Sequence, residues 1–439
     1  MSTFAISSRP FRTLILIALT MALSTSTSLE VARGDTWIGE LSAPRSLFPT
    51  PGPTIALYVE SDGQPHVIHL PSERGNASWA LYDDQGALLQ GPVQLPAFQR
   101  AALLSVAGEG DVVIGTYPSL ILPGQLEICQ NLTFVRITAG SSGQARNVSS
   151  AGCTFSAFAV GAGSTLALSM SGPESGGFGA RPLRATQLDR DGLLVTEREV
   201  LGDLVAFAAD KNTAGELDVV ALNITMNGET SFFFGTLRPD GSWSRGPLEF
   251  LRRSHSNLSS VAVRSTPSGR IVFWSERVSS QFSYYAQQLD EAGIAAAQPL
   301  LVYVGSGPLF PKDLVADGEF VHVAGYLREE GRLLVSRLDY RTGGVVSSGQ
   351  SVAENVTDMH VRREPAGISL TYVVGAGNPF SVWAQDASFR AGRDGGLGYA
   401  PILVGLAVAS LIVLVAITHA RRRTERGEPP RERMAGGNP

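Results

Sequence analysis

The chain has 439 residues, a formal net charge of −5 and two cysteines, too few for a disulfide-dense scaffold. Residues 1–33 carry +2 and residues 395–439 carry +3, which leaves −10 for residues 34–394. A body that acidic argues against nucleic acid or another polyanion as partner.

Residues 1–33 read as a secretory signal peptide. Arg9 and Arg12 form a basic start, "TLILIALTMAL" (13–23) an apolar core, and "STSTS" offers small residues for cleavage. The apolar run is too short to span a bilayer, which needs about 20 apolar residues. At the other end, residues 395–420 hold no Asp, Glu, Lys or Arg, and "RRRTER" follows at once. That is a stop-transfer pattern. It predicts a juxtamembrane linker over 389–399, a transmembrane helix over 400–420 and a basic cytoplasmic tail over 421–439. The expected topology is single-pass, type I, at the plasma membrane, with the ectodomain outside. Gly405 and Ala409 form a small-xxx-small pair, a spacing that can dimerise such helices weakly. The "GG" at 395–396, the apolar span and the Arg cluster also resemble a bacterial C-terminal sorting signal, although this chain runs on to Pro439.

Between the two ends, Asn76, Asn131, Asn147, Asn223, Asn257 and Asn355 each open an Asn-x-Ser/Thr sequon. Six of ten asparagines in that context is denser than chance in this composition, and N-glycosylation in a secretory pathway explains it. In that oxidising compartment Cys129 and Cys153 form the natural disulfide pair.

A turn-like segment recurs along the body: "ALYDDQGALL", "RITAGSSGQA", "TQLDRDGLLV", "TLRPDGSW", "QLDEAGIA" and "RLDYRTGGVV". Their glycines, Gly86, Gly143, Gly192, Gly241, Gly293 and Gly343, are spaced by 57, 49, 49, 52 and 50 residues. A period of that size points to propeller blades or a solenoid. Each unit holds four short apolar runs, and first strands start near Thr54, Ala101, Phe155, Leu204, Leu258, Lys312 and Thr357. The last unit lacks a fourth strand, which "GDTWIGEL" (34–41) can supply. The body over 34–388 therefore resembles a seven-bladed β-propeller closed by an N-terminal strand, an all-β fold. The resemblance is architectural. There is no Trp-Asp signature, kelch-like diglycine or integrin-type calcium loop.

Glycine is kept in all six turns while the acidic positions change, so "LDRDG" reads as a hairpin and not a calcium loop. His66 and His69 are three apart in a strand and point to opposite faces, which speaks against a shared metal. No motif for nucleophilic, phosphate or zinc chemistry is present, and neither a cofactor nor a metal is expected. Trp79, Trp274 and Trp383 read as packing residues. Strand order puts the second-to-third and inter-blade loops on one face, with the sequons, the cysteines and a set of channel-mouth candidates: Arg252, Arg253, His255, Lys312, Asp313 and Asp358. The expected function is extracellular recognition or adhesion, with a protein or glycan as ligand. The alternative is a surface-anchored hydrolase or lyase with its active site at the channel mouth, which carboxylates beside an Arg or Tyr in the channel would favour.

Overall fold

The computed structural model describes residues 39–389, except 51, 61, 70–76, 96–100, 109–110, 118, 121–127, 130–132, 139–140, 143–145, 148–153, 161–162, 171–180, 225–228, 255–256, 279, 296–297, 340–344, 366 and 376–379. The chain divides into two units at Phe389/Arg390, and the second is outside the described residues. So are the expected signal peptide, linker, transmembrane span and tail. Among the described residues no helix is long and apolar enough to cross a membrane.

Antiparallel sheets follow one another along the chain, and together they make an all-β propeller. The first runs over 54–94, the second over 101–147, the third over 154–204, the fourth over 206–254, the fifth over 257–305 and the sixth over 309–352. The closing sheet takes Val356–Glu364, Gly367–Val374 and Ser381–Phe389 from the C-terminal side and Gly39–Leu41 and Arg45–Pro49 from the N-terminal side. Six of these sheets have all four strand positions filled. In the second sheet only Ser141–Ser142 and Arg146–Asn147 occupy the outer position among the described residues. There the described blades fall short of the seven that the repeat predicts. A separate ribbon pairs Ser119–Leu120 with Ile128–Cys129.

Burial follows strand position. Middle strands pack on both faces and read as nearly continuous apolar runs, as in Leu217–Ile224 and Pro65–His69. Outer strands are largely exposed, as in Leu88–Gln94 and Leu300–Gly305. The core is therefore a set of layers between neighbouring sheets. One cluster joins Ile68 and Trp79 of the first sheet to Ile114 and Val135 of the second. Others join the third and fourth, fourth and fifth, fifth and sixth, and sixth and closing sheets. The last, with Phe48, Leu57, Val67, Val373 and Val382, joins the closing sheet to the first. Trp79 and Trp274 are fully buried in these layers, and Trp383 packs at the edge of one.

The N-terminal closure is longer than the sequence suggests. Gly39–Leu41 pairs with Ala387–Phe389, and Arg45–Pro49 continues the same edge down to Ser381. The outer strand of the last sheet is thus built from two pieces, and the expected 34–41 segment is only the first.

The recurrent turns are hairpins. Gly86, Gly192, Gly241 and Gly293 all lie at positive φ, +77° to +84°, and each donates its N–H to the carbonyl three residues earlier. Asp189 Oδ1 accepts from the N–H groups of Asp191 and Leu193, and Asp83 Oδ1 does the same for Gln85 and Ala87. The carboxylate that matters is the first of the turn, and it bonds backbone. Among the described residues no group of His, Cys, Asp or Glu is placed to hold a metal ion.

Candidate functional site

The innermost strands of all the sheets surround a central channel of about 770 Å³. Its wall carries Tyr58, Glu60, Asp210, Lys211, Arg264, Lys312, Asp313, His360, Arg362 and Arg363, with Phe158 and Val315 as partly exposed apolar surface. These innermost strands have no neighbour on the channel side, so their backbone groups there need other partners.

Side chains from adjacent sheets supply them. Asp210 Oδ2 accepts from the Ser265 N–H at 2.6 Å, linking fourth and fifth sheets. Asp313 Oδ2 accepts from the Val361 N–H at 2.9 Å, linking sixth and closing sheets. Asp358 Oδ2 accepts from the Leu57 N–H at 2.6 Å, linking closing and first sheets. The Arg264 guanidinium donates to the Leu314 carbonyl, linking fifth and sixth. Lys211 Nζ donates to the Ala159 carbonyl at 2.8 Å, and Ser105 Oγ both donates to the Ala157 carbonyl and accepts its N–H at 2.9 Å. The charged groups of the wall thus act as a girdle across successive seams.

Within the girdle runs a charged chain. Arg264 sits 3.0 Å from Asp313 and 3.7 Å from Asp210. Asp313 lies 3.6 Å from His360 Nε2, and the His360 ring packs on Tyr58 with centroids 4.3 Å apart. Five residues on five innermost strands are joined in this way. Burial, foremost, raises the Tyr58 hydroxyl, which Asp313 and Glu60 reinforce. Burial lowers His360 and holds it neutral, although Asp313 pulls the other way. Burial pushes the Asp358 carboxyl up to about 7 despite the Leu57 and Met359 N–H bonds. It brings the Lys312 ammonium down to about 8.

The sequence candidates separate into two places. Lys312, Asp313 and Asp358 lie on innermost strands, and the first two line the channel. Arg252 and Arg253 lie on Trp243–Ser254, the outermost strand of the fourth sheet. There Arg252 pairs with Glu249 at 2.8 Å, and Arg253 lies 3.3 Å from Glu276 and over the Tyr285 ring. His255 is outside the described residues. So are Cys153, and hence the expected disulfide, and Asn76 and Asn131. Asn223 and Asn355 are described, and Asn147 and Asn257 lie in strands.

Tyr58, Asp210, Arg264 and His360 were not singled out from sequence. Each sits among ordinary strand residues, between 54 and 152 positions from the next, and only the closure of the ring brings them together. His66 and His69 do diverge as expected. His66 Nε2 is 2.9 Å from Glu60 Oε1, and His69 Nε2 is 3.0 Å from the Tyr82 hydroxyl.

A second polar knot lies between the fourth and fifth sheets. The Asp218 carboxylate, fully buried, accepts from Arg270 Nε at 2.6 Å, Thr236 Oγ1 at 3.0 Å, Ser265 Oγ at 3.0 Å and Asn212 Nδ2 at 3.2 Å. A carboxylate so fully satisfied is structural.

No family model matches the chain, and no curated protein matches it. Solved structures do. The β-propeller domain of Myceliophteria thermophila Cps50 (Swd1) is 11% identical, covering 78% of this chain and 99% of that chain, with a TM-score of 0.48. The polysaccharide lyase Uly1 is 10% identical over 76% of this chain and 89% of its own, at 0.46. The GH93 alpha-L-arabinofuranosidase of Fusarium graminearum is 10% identical over 65% of this chain and 92% of its own, at 0.42. At these identities the likeness is one of fold alone.

Proposed function

We propose that the protein is a type I single-pass membrane glycoprotein whose seven-bladed propeller recognises an extracellular ligand at its channel. The end segments and sequons read above support the topology and the glycosylation. The recognition reading rests on one observation. The channel carboxylates Asp210 and Asp313, and Asp358 on the same ring of innermost strands, are spent on the backbone N–H groups of neighbouring sheets, so the wall is a braced frame around an open space. A rigid frame with few mobile parts suits binding at low entropic cost.

A second reading, a hydrolase or lyase, draws on the Asp210–Arg264–Asp313–His360–Tyr58 chain, which places carboxylates beside an Arg and a Tyr in the channel. One experiment separates the two. Full-length protein in detergent is assayed against acidic and neutral polysaccharides for both retention and cleavage, alongside Asp313→Asn. Retention without cleavage supports recognition. Cleavage that Asp313→Asn abolishes, with melting temperature kept, sinks it. Endoglycosidase digestion of the cell-surface protein tests the topology, and an unshifted mass would sink the glycoprotein assignment.

A further inference from the structure

The channel wall differs in charge from the body around it. Residues 34–394 sum to −10, yet the wall carries five Lys and Arg side chains against the carboxylates of Glu60, Asp210 and Asp313. Most of these charges already have partners. Arg264 is held by Asp210 and Asp313, Arg362 by Glu364 at 2.6 Å and Arg363 by Asp317 at 2.8 Å. Lys211 donates to the Ala159 carbonyl, and Glu60 pairs with His66. Lys312 is the exception. Its ammonium has no hydrogen-bond or ion-pair partner among the described residues, and it borders the channel beside Asp313. A cation held without a counter-charge in a walled cleft focuses the local field and attracts anions.

We propose that the channel binds a small organic carboxylate, with the Lys312 ammonium as its charged anchor and the partly exposed Phe158 and Val315 as the surface for its apolar part. This rests on the recognition reading above and names the ligand class for it. A cavity of about 770 Å³ accommodates a molecule of one or two rings. A single available ammonium on a partly apolar wall suits one negative charge. Phosphate, with three acceptor oxygens and up to two charges, calls for several donors together. Lys312 remains largely protonated at neutral pH, and a bound carboxylate would raise its ammonium again.

The chain contains only two lysines, Lys211 and Lys312, so amine chemistry reports on the site directly. Full-length protein in detergent is acetylated with either the N-hydroxysuccinimide ester or its sulfonated, anionic counterpart, and both lysines are quantified by peptide mass. The sulfonated ester should favour Lys312 over Lys211 by about tenfold more than the neutral ester does. Sodium benzoate should protect Lys312, and benzyl alcohol and inorganic phosphate should not. No anionic preference, or better protection by benzyl alcohol or phosphate, overturns the carboxylate assignment and leaves recognition of another ligand standing. A Lys312 inert to both esters in folded protein but reactive in urea shows that the channel is closed, and it overturns the recognition reading as well.

Discussion

The Asp358 carboxylate accepts a 2.6 Å hydrogen bond from the backbone N–H of Leu57, a residue 301 positions earlier, across the seam where the last sheet meets the first. It also accepts from its neighbour's N–H, Met359, at 2.8 Å. One side chain therefore helps to close the ring. Asp358→Ala leaves the Leu57 N–H without a partner and should cost about 1–3 kcal/mol. Asp358→Asn keeps an acceptor and should cost less. The carboxyl's affinity for a proton is raised from 3.8 to about 7 in the folded protein. Its stabilising contribution is therefore complete below pH 3.8 and is lost as pH rises through about 7. Urea melts should show Asp358→Asn gaining on the wild type as pH rises across that interval. A constant difference would show that the carboxyl titrates normally.

The buried histidines act in the opposite sense. Burial lowers His66, His69 and His322 from 6.5 to about 4. Their contribution is complete above pH 6.5 and is lost as pH falls toward 4, because the unfolded chain takes up the protons first. Three histidines outweigh the single Asp358 in this window, so acid should destabilise the domain. His69→Gln should shallow the fall in melting temperature over that range. An unchanged slope would show that His69 is not buried as a neutral ring.

In the turn at 189–193, Asp189 accepts two backbone N–H groups and Gly192 adopts φ +77°, whereas Asp191 is exposed. Asp191→Ala should therefore change stability by less than about 0.5 kcal/mol. Asp189→Ala should cost about 1 kcal/mol. Gly192→Val places a β-branched residue in the left-handed region and should cost about 1–2 kcal/mol or more. Calcium should shift none of the three melting curves. A calcium-dependent wild type that Asp191→Ala renders insensitive would show that the turn is an ion site.

The architecture was legible in the sequence because its punctuation repeats. A turn that needs positive φ selects glycine, and Gly86, Gly192, Gly241 and Gly293 marked the period directly. First strands beginning at Thr54, Ala101, Thr154, Ala206, Asn257, Leu309 and Val356 fall within three residues of the expected starts. The site was much less legible. Lys312, Asp313 and Asp358 were found by being charged at the head of an inner strand. Arg252 and Arg253 met a similar description by loop proximity, yet they belong to an outer strand, because a loop joins the rim of one sheet to the axis of the next. Asp210, Arg264 and His360 are residues of different type on three different sheets, so no shared motif in the repeat exposes them.

The two-piece closure separates two truncations. Removing 34–41 takes away the pairing of Gly39–Leu41 with Ala387–Phe389 but leaves Arg45–Pro49 on the same edge, where Phe48 stacks on Tyr82 at 4.7 Å. Removing 34–49 bares the whole of Ser381–Phe389. Size-exclusion chromatography should find the first variant monodisperse and less stable, and the second self-associated through its open edge. Equal behaviour of the two would show that Arg45–Pro49 contributes nothing to closure.

Strand direction orders the two faces of the ring. The glycine turns lie on one, and Phe389, the end of a third strand, leaves the sheet on that same side. Asn223 is the penultimate residue of a second strand, Asn257 begins a first strand, and Asn147 and Asn355 flank connections between sheets, all on the opposite side. In the proposed topology, residues 390–399 then lead to the apolar span. The proposed type I topology predicts that the turn face lies toward the bilayer and the sequon face away from it, with hydrated glycans leaving a partner the rim or the channel between them. Single cysteines introduced as Asn257→Cys and Arg190→Cys report on this in intact cells, with the other sequons removed and a membrane-impermeant maleimide as label. Position 257 should label several-fold faster than the exposed Arg190 turn, and detergent should abolish the difference. Equal rates before detergent, or faster labelling at 190, would show that the turn face does not sit against the membrane.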